Sequence, residues 1–212
     1  MRVAVMQPYF LPYIGYYQLM AAADVFVVYD NIQYTKKGWI NRNRLLQNGT
    51  DVMFSLPLKR GSDYLEVCQR ELAADFNRGK LLNSIRGAYQ AAPFFSTVFP
   101  LLQRVVESPQ SNLFEYLLNS LRQTAAHLKI NSDILISSQI DIDHGLRGED
   151  KVLALCQALG AKRYLNPIGG VELYSRERFA ESGIELRFVQ SRPLSTRNSP
   201  IISCPGCRFW MY

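Results

Sequence analysis

The first thirty residues contain the feature that most restricts how this chain can fold. A short apolar run at residues 3–6 is followed by a loop that contains Pro8 and Pro12, by a stretch of helical composition at residues 14–23, and by a second apolar run at residues 24–29. The second run is almost continuously apolar, which is typical of a strand that is covered on both faces of a parallel sheet. Strand, loop, helix and strand in this order predict a βαβ unit with a right-handed crossover.

The rest of the chain continues this alternation with one interruption. Further strands are predicted at residues 51–58, 133–137, 163–165 and 185–189, and further helices at residues 148–159, ended by Gly160, and at residues 175–182, capped by Ser175. Residues 76–128 instead have helical periodicity throughout, with Pro93, Pro100 and Pro109 marking the breaks between helices. We therefore expect an α/β protein with a Rossmann-like three-layer fold, a mainly parallel sheet and a helical insertion around residues 76–128. The whole chain, residues 1–212, is expected to form a single domain.

Composition restricts the class of protein and the kind of partner. Apolar residues make up 48% and charged residues 20% of the 212 residues, which is the balance of a globular chain. The net charge of +6 favours an anionic partner such as a nucleotide, a phosphorylated sugar, RNA or an anionic membrane face. Charged residues interrupt every apolar run, and Pro8, Pro12 and Asp24 break the beginning of the chain. We therefore expect a cytoplasmic protein with no membrane insertion and no signal peptide.

The sequence predicts neither a metal site nor a cofactor. Cys204 and Cys207 have the spacing of a zinc half-site or a redox pair, but no second such pair exists and the two histidines, His127 and His144, are far apart in sequence. We interpret the two cysteines as an incidental pair in the tail. No Walker loop and no Gly-x-Gly-x-x-Gly fingerprint is present, and no Ser-His-Asp spacing is found.

The loop after the first strand is the first candidate for ligand binding. Open parallel sheets bind ligands at the carboxyl ends of their strands, and the two prolines imply a loop of fixed shape. The candidate ligand-binding residues of this loop are Gln7, Tyr9, Pro12, Gly15 and Tyr16. The alternative is that the aromatic rings pack in the core or in a lid.

The segment after the second strand is the second candidate and is expected to lie beside the first loop. It combines ammonium groups, guanidinium groups, amides and one indole ring, which together suit a phosphorylated or carboxylated ligand. Its candidate ligand-binding residues are Asp30, Lys36, Lys37, Trp39, Asn41, Arg42 and Arg44. The alternative is a solvated basic segment that is anchored by one tryptophan.

Three further residues follow later strands or begin a helix. His144 is the candidate catalytic residue, as a general base that a nearby carboxylate orients, although a solvent-facing imidazole in a polar loop is an equal alternative. Asn166 lies in a segment that would line the same pocket through backbone N–H groups, with a plain turn as the alternative. Lys151 is expected to face solvent near the start of its helix.

Five segments, including residues 28–34 and 179–184, resemble the WbqC-like family, which occurs in bacterial surface-polysaccharide gene clusters such as those for O-antigen. The three longest are as follows. The N-terminal segments are Met6-Gln-Pro-Tyr-Phe-Leu-Pro-Tyr-Ile-Gly-Tyr-Tyr-Gln-Leu19 and Lys37-Gly-Trp-Ile-Asn-Arg-Asn-Arg44, and the later one is Lys151-Val-Leu-Ala-Leu-Cys-Gln-Ala-Leu-Gly-Ala-Lys-Arg-Tyr-Leu165. The resemblance implies modification of a nucleotide-linked amino sugar, with acyl or aminoacyl transfer to the sugar amine as one plausible step.

A more distant resemblance concerns the fold. The first strand, proline-containing loop and apolar second strand are similar to those of the α/β nucleotidyltransferases, which stabilise a transferred phosphate with a His-x-Gly-His loop. Tyr13 and Tyr16 occupy the positions of the two histidines here, so the resemblance implies the fold and not adenylyl transfer. Residues 193–212 also depart from the tail that is usual in WbqC-like proteins.

We therefore expect a transferase that acts on a nucleotide-activated or phosphorylated amino sugar in surface-polysaccharide biosynthesis. Its partners would be that sugar and an acyl or aminoacyl donor. The alternative is a non-catalytic protein of the same fold that binds a nucleotide sugar or RNA, the latter suggested by aromatic rings beside arginines near Trp39.

Overall fold

The computed structural model describes residues 1–191, which form two compact units. Unit 1 comprises Met1–Gln7, Gly15–Asn31 and residues 129–191, and unit 2 comprises Pro8–Ile14 and Ile32–Leu128. The strands are β1 (Arg2–Met6), β2 (Val25–Val28), β3 (Arg42–Gln47), β4 (Thr50–Ser55), β5 (Asp133–Ile136), β6 (Arg163–Pro167) and β7 (Glu185–Val189). The helices are α1 (Ile14–Ala22), α2 (Arg78–Tyr89), α3 (Phe95–Val106), α4 (Leu113–His127), α5 (Gly148–Ala158) and α6 (Arg176–Glu181).

Unit 1 contains a five-stranded sheet with the strand order β5-β2-β1-β6-β7. Every neighbouring pair in it is parallel, which confirms the predicted α/β fold with a mainly parallel sheet. The chain moves outward from β1 through β2 to β5 and then returns to the other side of β1 to form β6. The sheet therefore has a topological switch point between β1 and β6, where open α/β sheets bind their ligands.

The helices of unit 1 cover both faces of this sheet, which gives three layers. On one face, Val3 and Val27 belong to a buried cluster with Leu155 of α5 and Phe179 of α6. On the other face, Phe26 packs against Tyr16 of α1 with the ring centroids 5.2 Å apart. Because consecutive strand residues point to opposite faces, an uninterrupted apolar sequence is needed to fill both layers.

Local interactions set the ends of these elements as the sequence predicted. The Ser175 side chain accepts from the Arg178 backbone N–H at the start of α6, and Gly160 follows α5 with a φ of +64°. At the start of β2, the hydrogen bonds from Arg2 hold the pKa of Asp24 at about 2. This pair joins the first residue of β1 to the residue before β2 and supports their parallel alignment.

Unit 2 contains a hairpin whose second strand, β4, was predicted and whose first strand, β3, was not. Strands β3 and β4 pair antiparallel across Asn48 and Gly49, whose φ angles of +49° and +78° are those of a type I′ turn. Residues 42–44 are therefore part of a strand and not of a loop. The predicted helical region is confirmed as α2, α3 and α4, but Pro100 lies inside α3 instead of between helices. A single proline removes only one helical N–H donor, and the buried apolar face of α3 outweighs that loss.

A buried amide joins the first segment of unit 2 to its hairpin. Asn43 Nδ2 donates to the carbonyl oxygens of Phe10, at 3.0 Å, and Leu11, at 2.5 Å. Leu11 has a φ of +46°, a conformation that side chains other than glycine rarely adopt. Phe10 N donates in turn to the carbonyl oxygen of Ile40 at 3.0 Å. The shape of the 8–14 segment therefore depends on Asn43.

Replacing Asn43 with alanine is expected to destabilise the protein by about 2–3 kcal/mol, because it leaves two buried carbonyl groups without a donor. Urea unfolding of Asn43→Ala against wild type measures this loss. Asn83→Ala, at an exposed position of α2, is the matched control and is expected to change the free energy of unfolding by less than about 0.5 kcal/mol. Equal stabilities of the two variants would contradict the role given to Asn43.

Across residues 1–191, no helix combines the length and the apolar character that crossing a bilayer requires. Cys204, Cys207 and the divergent tail at residues 193–212 lie outside the described residues.

Candidate functional site

Two of the predicted ligand-binding residues lie beside the switch point of the unit 1 sheet. Gln7 follows β1 directly, and Asn166 lies in β6 next to Leu165, which pairs with Ala4 of β1. Tyr16 Oη donates to the Gln7 carbonyl oxygen at 3.0 Å and is itself only 1% exposed. Gly15 is likewise buried in α1. The backbone of Gln7 is thus fixed by a hydrogen bond from helix α1, which follows the loop.

A buried carboxylate joins the ends of β2 and β5, which are neighbours in the sheet. Asp30 is 3% exposed, and its Oδ1 atom accepts from Ser137 Oγ at 2.8 Å and from Ser138 N at 2.9 Å. Since charged groups are costly to bury without hydrogen bonds, these donors are what allow Asp30 to lie inside the sheet edge. The two strand ends are consequently fixed to each other.

The side chain of Asn31 connects the Asp30–Ser137 pair to His144, the predicted catalytic residue. Asn31 Oδ1 lies 2.7 Å from Ser137 Oγ, and Asn31 Nδ2 lies 2.9 Å from Nδ1 of the exposed His144. The expected carboxylate orientation of the imidazole is therefore wrong, because an amide contacts the ring. The nearest acidic residue in sequence, Asp143, instead accepts from the Gly145 backbone N–H at 2.8 Å.

The single hydroxyl proton of Ser137 favours one of the two orientations of the Asn31 amide. This proton cannot be donated fully to both Asp30 and Asn31. The two ends of an amide are distinguished by their partners, and a half-turn of the Asn31 side chain removes the conflict. The amide NH₂ then donates to Ser137, the Ser137 hydroxyl donates to Asp30, and the Asn31 oxygen accepts from Nδ1–H of His144. In that arrangement Nε2 of His144 carries the free lone pair of a general base.

Lys151 completes this cluster, and its predicted exposure is wrong. It is 2% exposed, and its ammonium group donates to the backbone carbonyl oxygens of Asn31 and His144, each at 3.4 Å. The same group lies 5.0 Å from the centre of the Tyr29 ring. Lys151 therefore joins the loop after β2 to the loop after β5 by donating to a backbone carbonyl group of each. A signal was present in the sequence, because Lys151 is four residues before the apolar Leu155 and therefore on the same face of the helix.

The other predicted ligand-binding residues belong to unit 2, and three of them, Lys36, Trp39 and Arg44, form ion-pair or cation–π contacts within it. Lys36 Nζ lies 2.7 Å from Asp63 Oδ1, and Arg44 Nη1 lies 2.8 Å from Asp51 Oδ2. The Arg44 guanidinium also lies over the ring of Trp39, 5.4 Å from its centre. These three residues thus already form surface interactions of the hairpin region.

Asn41 is buried, and the other predicted residues of unit 2 range from buried to exposed. Its side chain accepts from Tyr34 Oη at 2.9 Å and donates to the Leu56 carbonyl oxygen at 2.8 Å. Arg42 Nε donates to the Gly38 carbonyl oxygen at 2.9 Å, and Lys37 is exposed. Pro12 is buried and Tyr9 is half-buried.

The expectation that the two candidate segments lie together is confirmed within unit 2, where the 8–14 segment bonds to Ile40 and Asn43. The contact consists of backbone bonds and a buried amide, so it belongs to the packing of unit 2. The predicted residues are otherwise divided, with Gln7, Gly15, Tyr16, Asp30, His144 and Asn166 in unit 1 and the rest in unit 2. Among residues 1–191, no group of three or more His, Cys, Asp or Glu side chains is placed to hold a metal ion.

Comparison with known proteins identifies the family. The sequence profile of the WbqC-like protein family matches residues 7–197, which is most of the chain. The chain belongs to the WbqC-like family. It is also similar to Rv1507c, an uncharacterized protein of Mycobacterium tuberculosis, with 25% identity over 167 residues that cover 78% of this chain and 71% of that protein.

The hydrogen-bond arrangement of this WbqC-like protein predicts an unusual tautomer of His144. The neutral ring is expected to carry its proton on Nδ1, because the tautomer is set by the hydrogen bond that Nδ1 makes. The ¹⁵N shifts of the imidazole nitrogens measure this directly. Asn31→Ala should remove the preference, whereas Asp143→Asn should leave it unchanged. A neutral wild-type ring protonated on Nε2 would contradict the orientation assigned to Asn31.

The position of the Asn166 amide depends on the absence of a side chain at Gly170. A Cβ atom at Gly170 would overlap Asn166 Nδ2 and lie 3.2 Å from Asn166 Cγ, whereas a Cβ at Gly169 would meet no atom within 4 Å. Gly170→Ala should therefore destabilise the WbqC-like protein by about 1–3 kcal/mol and move the Asn166 amide. Gly169→Ala is the adjacent control. Thermal unfolding and the amide NMR signals of Asn166 test this, and equal behaviour of both variants would contradict it.

Proposed function

We propose that this protein is a transferase that acts on a nucleotide-activated or phosphorylated amino sugar, transferring an acyl or aminoacyl group to the sugar amine. Membership of the WbqC-like family supports a role in polysaccharide-associated biosynthesis. The finer proposal is supported by one observation above all: a chain of polar contacts that starts at the buried Asp30 and ends at the exposed imidazole of His144.

The proposed chemistry needs a base and no covalent intermediate. The sugar amine attacks the acyl carbonyl carbon, so that the new N–C bond forms while the bond from that carbon to the leaving group breaks. His144 Nε2 accepts the proton that the nitrogen loses and returns it to the leaving group. Ser137 and Asn31 would connect the Asp30 carboxylate to Nδ1–H and hold the imidazole ring in one orientation. Asp30, Ser137 and Asn31 are thus proposed as positioning residues.

The switch point between β1 and β6 is the proposed position of the sugar nucleotide. Gln7 and Asn166 flank it, and the half-buried amide of Gln7 offers a donor and an acceptor to hydroxyl or phosphoryl oxygens. The Asn166 side chain is buried and contacts Tyr164 Oη and the Pro167 carbonyl oxygen, so it is proposed to position the backbone of this edge.

The buried ammonium group of Lys151, close below the Asn31 and His144 carbonyl groups, adds a positive charge to this edge of unit 1. The buried Asp30 carboxylate at the ends of β2 and β5 carries the opposite charge, so it is the position of the crevice at the switch point that favours a ligand there.

Lys37 and Arg42 are the proposed anion contacts in unit 2. Among the described residues, neither forms an ion pair with an aspartate or glutamate, unlike Lys36 and Arg44. The Arg42 guanidinium is oriented by the Gly38 carbonyl oxygen and contacts Met53 Sδ at 3.9 Å. Separate variants in each unit would show which of them binds the ligand.

Binding and turnover together test the proposal. Isothermal titration with a panel of uridine- and thymidine-diphosphate sugars is expected to find at least one ligand with a Kd tighter than about 1 mM. With an amino-sugar nucleotide and a panel of acyl and aminoacyl donors, mass spectrometry should detect the N-acylated sugar. His144→Gln is expected to lower the rate by about 10²–10⁴-fold with the Kd unchanged, because only the proton acceptor is removed. His127→Gln, at the other histidine, is the matched control.

The alternatives give different results. Failure of the whole panel to bind would reject the proposal. Ligand binding without turnover by any donor would favour a non-catalytic nucleotide-sugar-binding protein. RNA affinity that falls steeply with salt, with no sugar-nucleotide binding, would favour the RNA-binding alternative. Full activity of His144→Gln would show that His144 is not the base, while the proposal of a transferase activity would stand.

A further inference from the structure

A polar cavity lies in unit 2, and none of the residues that line it is among those that the sequence analysis selected. Its volume is about 230 Å³, and its lining includes Lys59, Arg60, Gly61, Gln69, Arg70 and Glu71. Three of these side chains are cationic and one is anionic. Such an excess of positive charge around a small concave space favours an anion.

Arg70 is the distinctive residue of this cavity, because it is a buried cation without an acidic partner. It is 7% exposed, and within residues 1–191 no aspartate or glutamate forms an ion pair with it. Its Nη1 and Nη2 atoms donate to the carbonyl oxygens of Ser62, at 3.2 Å, and Lys59, at 3.3 Å. Its Nε atom is buried and has no hydrogen-bond partner among the described residues. A buried guanidinium whose hydrogen-bond partners are neutral carbonyl groups keeps its full positive charge, and an anion that pairs with it would stabilise it.

The surroundings hold this guanidinium firmly in one orientation. It lies over the Tyr34 ring, 4.9 Å from the ring centre, and its backbone N–H donates to the Val67 carbonyl oxygen at 3.2 Å. The loop at residues 59–62 lies so close that a Cβ atom on Gly61 would come within 3.1 Å of Arg70 Nη1. The cationic centre is therefore positioned before any ligand arrives, which reduces the entropy cost of binding.

The other charges around the cavity leave a positive surplus. Lys59 Nζ pairs with Glu71 Oε2 at 2.9 Å, an exposed pair that is close to neutral as a unit. Arg60 is exposed and, among the described residues, forms no ion pair. Arg60 and Arg70 thus remain as two guanidinium groups that line the same cavity without carboxylates to neutralise them.

We infer that this cavity binds the phosphate group of a small phosphorylated ligand through Arg60 and Arg70. Guanidinium groups match the geometry of phosphate oxygens with paired N–H donors. The volume is below the 300–1,000 Å³ that is typical of pockets for whole drug-sized ligands, so the cavity is sized for the charged end of a ligand. The inference rests on unit 2 alone and is independent of the transfer chemistry proposed for unit 1.

The test uses inorganic phosphate as the probe on the full-length protein. Thermal unfolding and isothermal titration are measured against phosphate, with sodium chloride at equal ionic strength as the reference. Saturable binding with a Kd of about 1 mM is expected for the wild type. Arg60→Gln should weaken it by about tenfold or more, because a charged hydrogen-bond donor is lost. Arg122→Gln, at an exposed position of α4, removes the same charge elsewhere and should change the Kd by less than about twofold.

Arg60 is the main variant because its exposed side chain can be replaced without disturbing the core, whereas Arg70→Lys tests the buried guanidinium and risks unfolding. Phosphate binding that is lost in Arg60→Gln and kept in Arg122→Gln supports the inference. Absence of phosphate binding beyond the chloride reference overturns it, as does equal weakening in both variants. Binding of a short RNA that depends on Arg60, without binding of phosphate, also overturns it. His144→Gln should leave phosphate binding intact. A negative result for phosphate binding would therefore leave the transferase proposal untouched, and a negative result for transfer would leave this inference untouched.

Discussion

The pairing of β1 on both of its edges is the constraint on which the rest of unit 1 depends. β1 aligns in parallel with β2 on one side and with β6 on the other, and its central residues Val3 and Ala4 are fully buried. Because all these strands are parallel, their carboxyl ends meet at one edge of the sheet. Because the chain changes sides at β1, that edge contains a crevice between β1 and β6. Gln7 and Asn166 are candidate site residues because this topology places them beside the crevice, and not because of their residue types.

Buried charged groups occur in both units, and neutral groups are among the partners that hold them in the described residues. Asp30 is held by a hydroxyl and a backbone N–H, Lys151 by two backbone carbonyl groups and an aromatic ring, and Arg70 by two carbonyl groups and Tyr34. Neutral partners hold the charge in position but do not cancel it. Such groups therefore retain an electrostatic field that a ligand or a developing charge can use. This is the physical basis shared by the proposal for His144 and by the inference for the cavity at Arg70.

Prediction from the sequence succeeded where structure follows from local pattern. The strands and helices of unit 1 were located within a few residues, because buried parallel strands are continuously apolar and helices repeat their apolar positions every three to four residues. Strand β3 was missed because Arg42, Asn43 and Arg44 have little intrinsic preference for strands. Its pairing with β4 makes it a strand, and the Asn48-Gly49 pair was the local signal that a hairpin was present.

The sequence by itself determined the α/β class, the order of the elements in unit 1, the helical stretch of unit 2 and the presence of polar residues after the strands. Tertiary structure alone decided which of those residues meet. Asn31 and His144 are 113 residues apart, and their contact exists only because β2 and β5 are neighbours in the sheet. Likewise, Lys151 is buried because its helix packs with that face toward the strand ends, and Arg70 is unpaired because no carboxylate of residues 1–191 reaches it. Local pattern records the preferences of each segment, whereas proximity and burial are properties of the assembled chain.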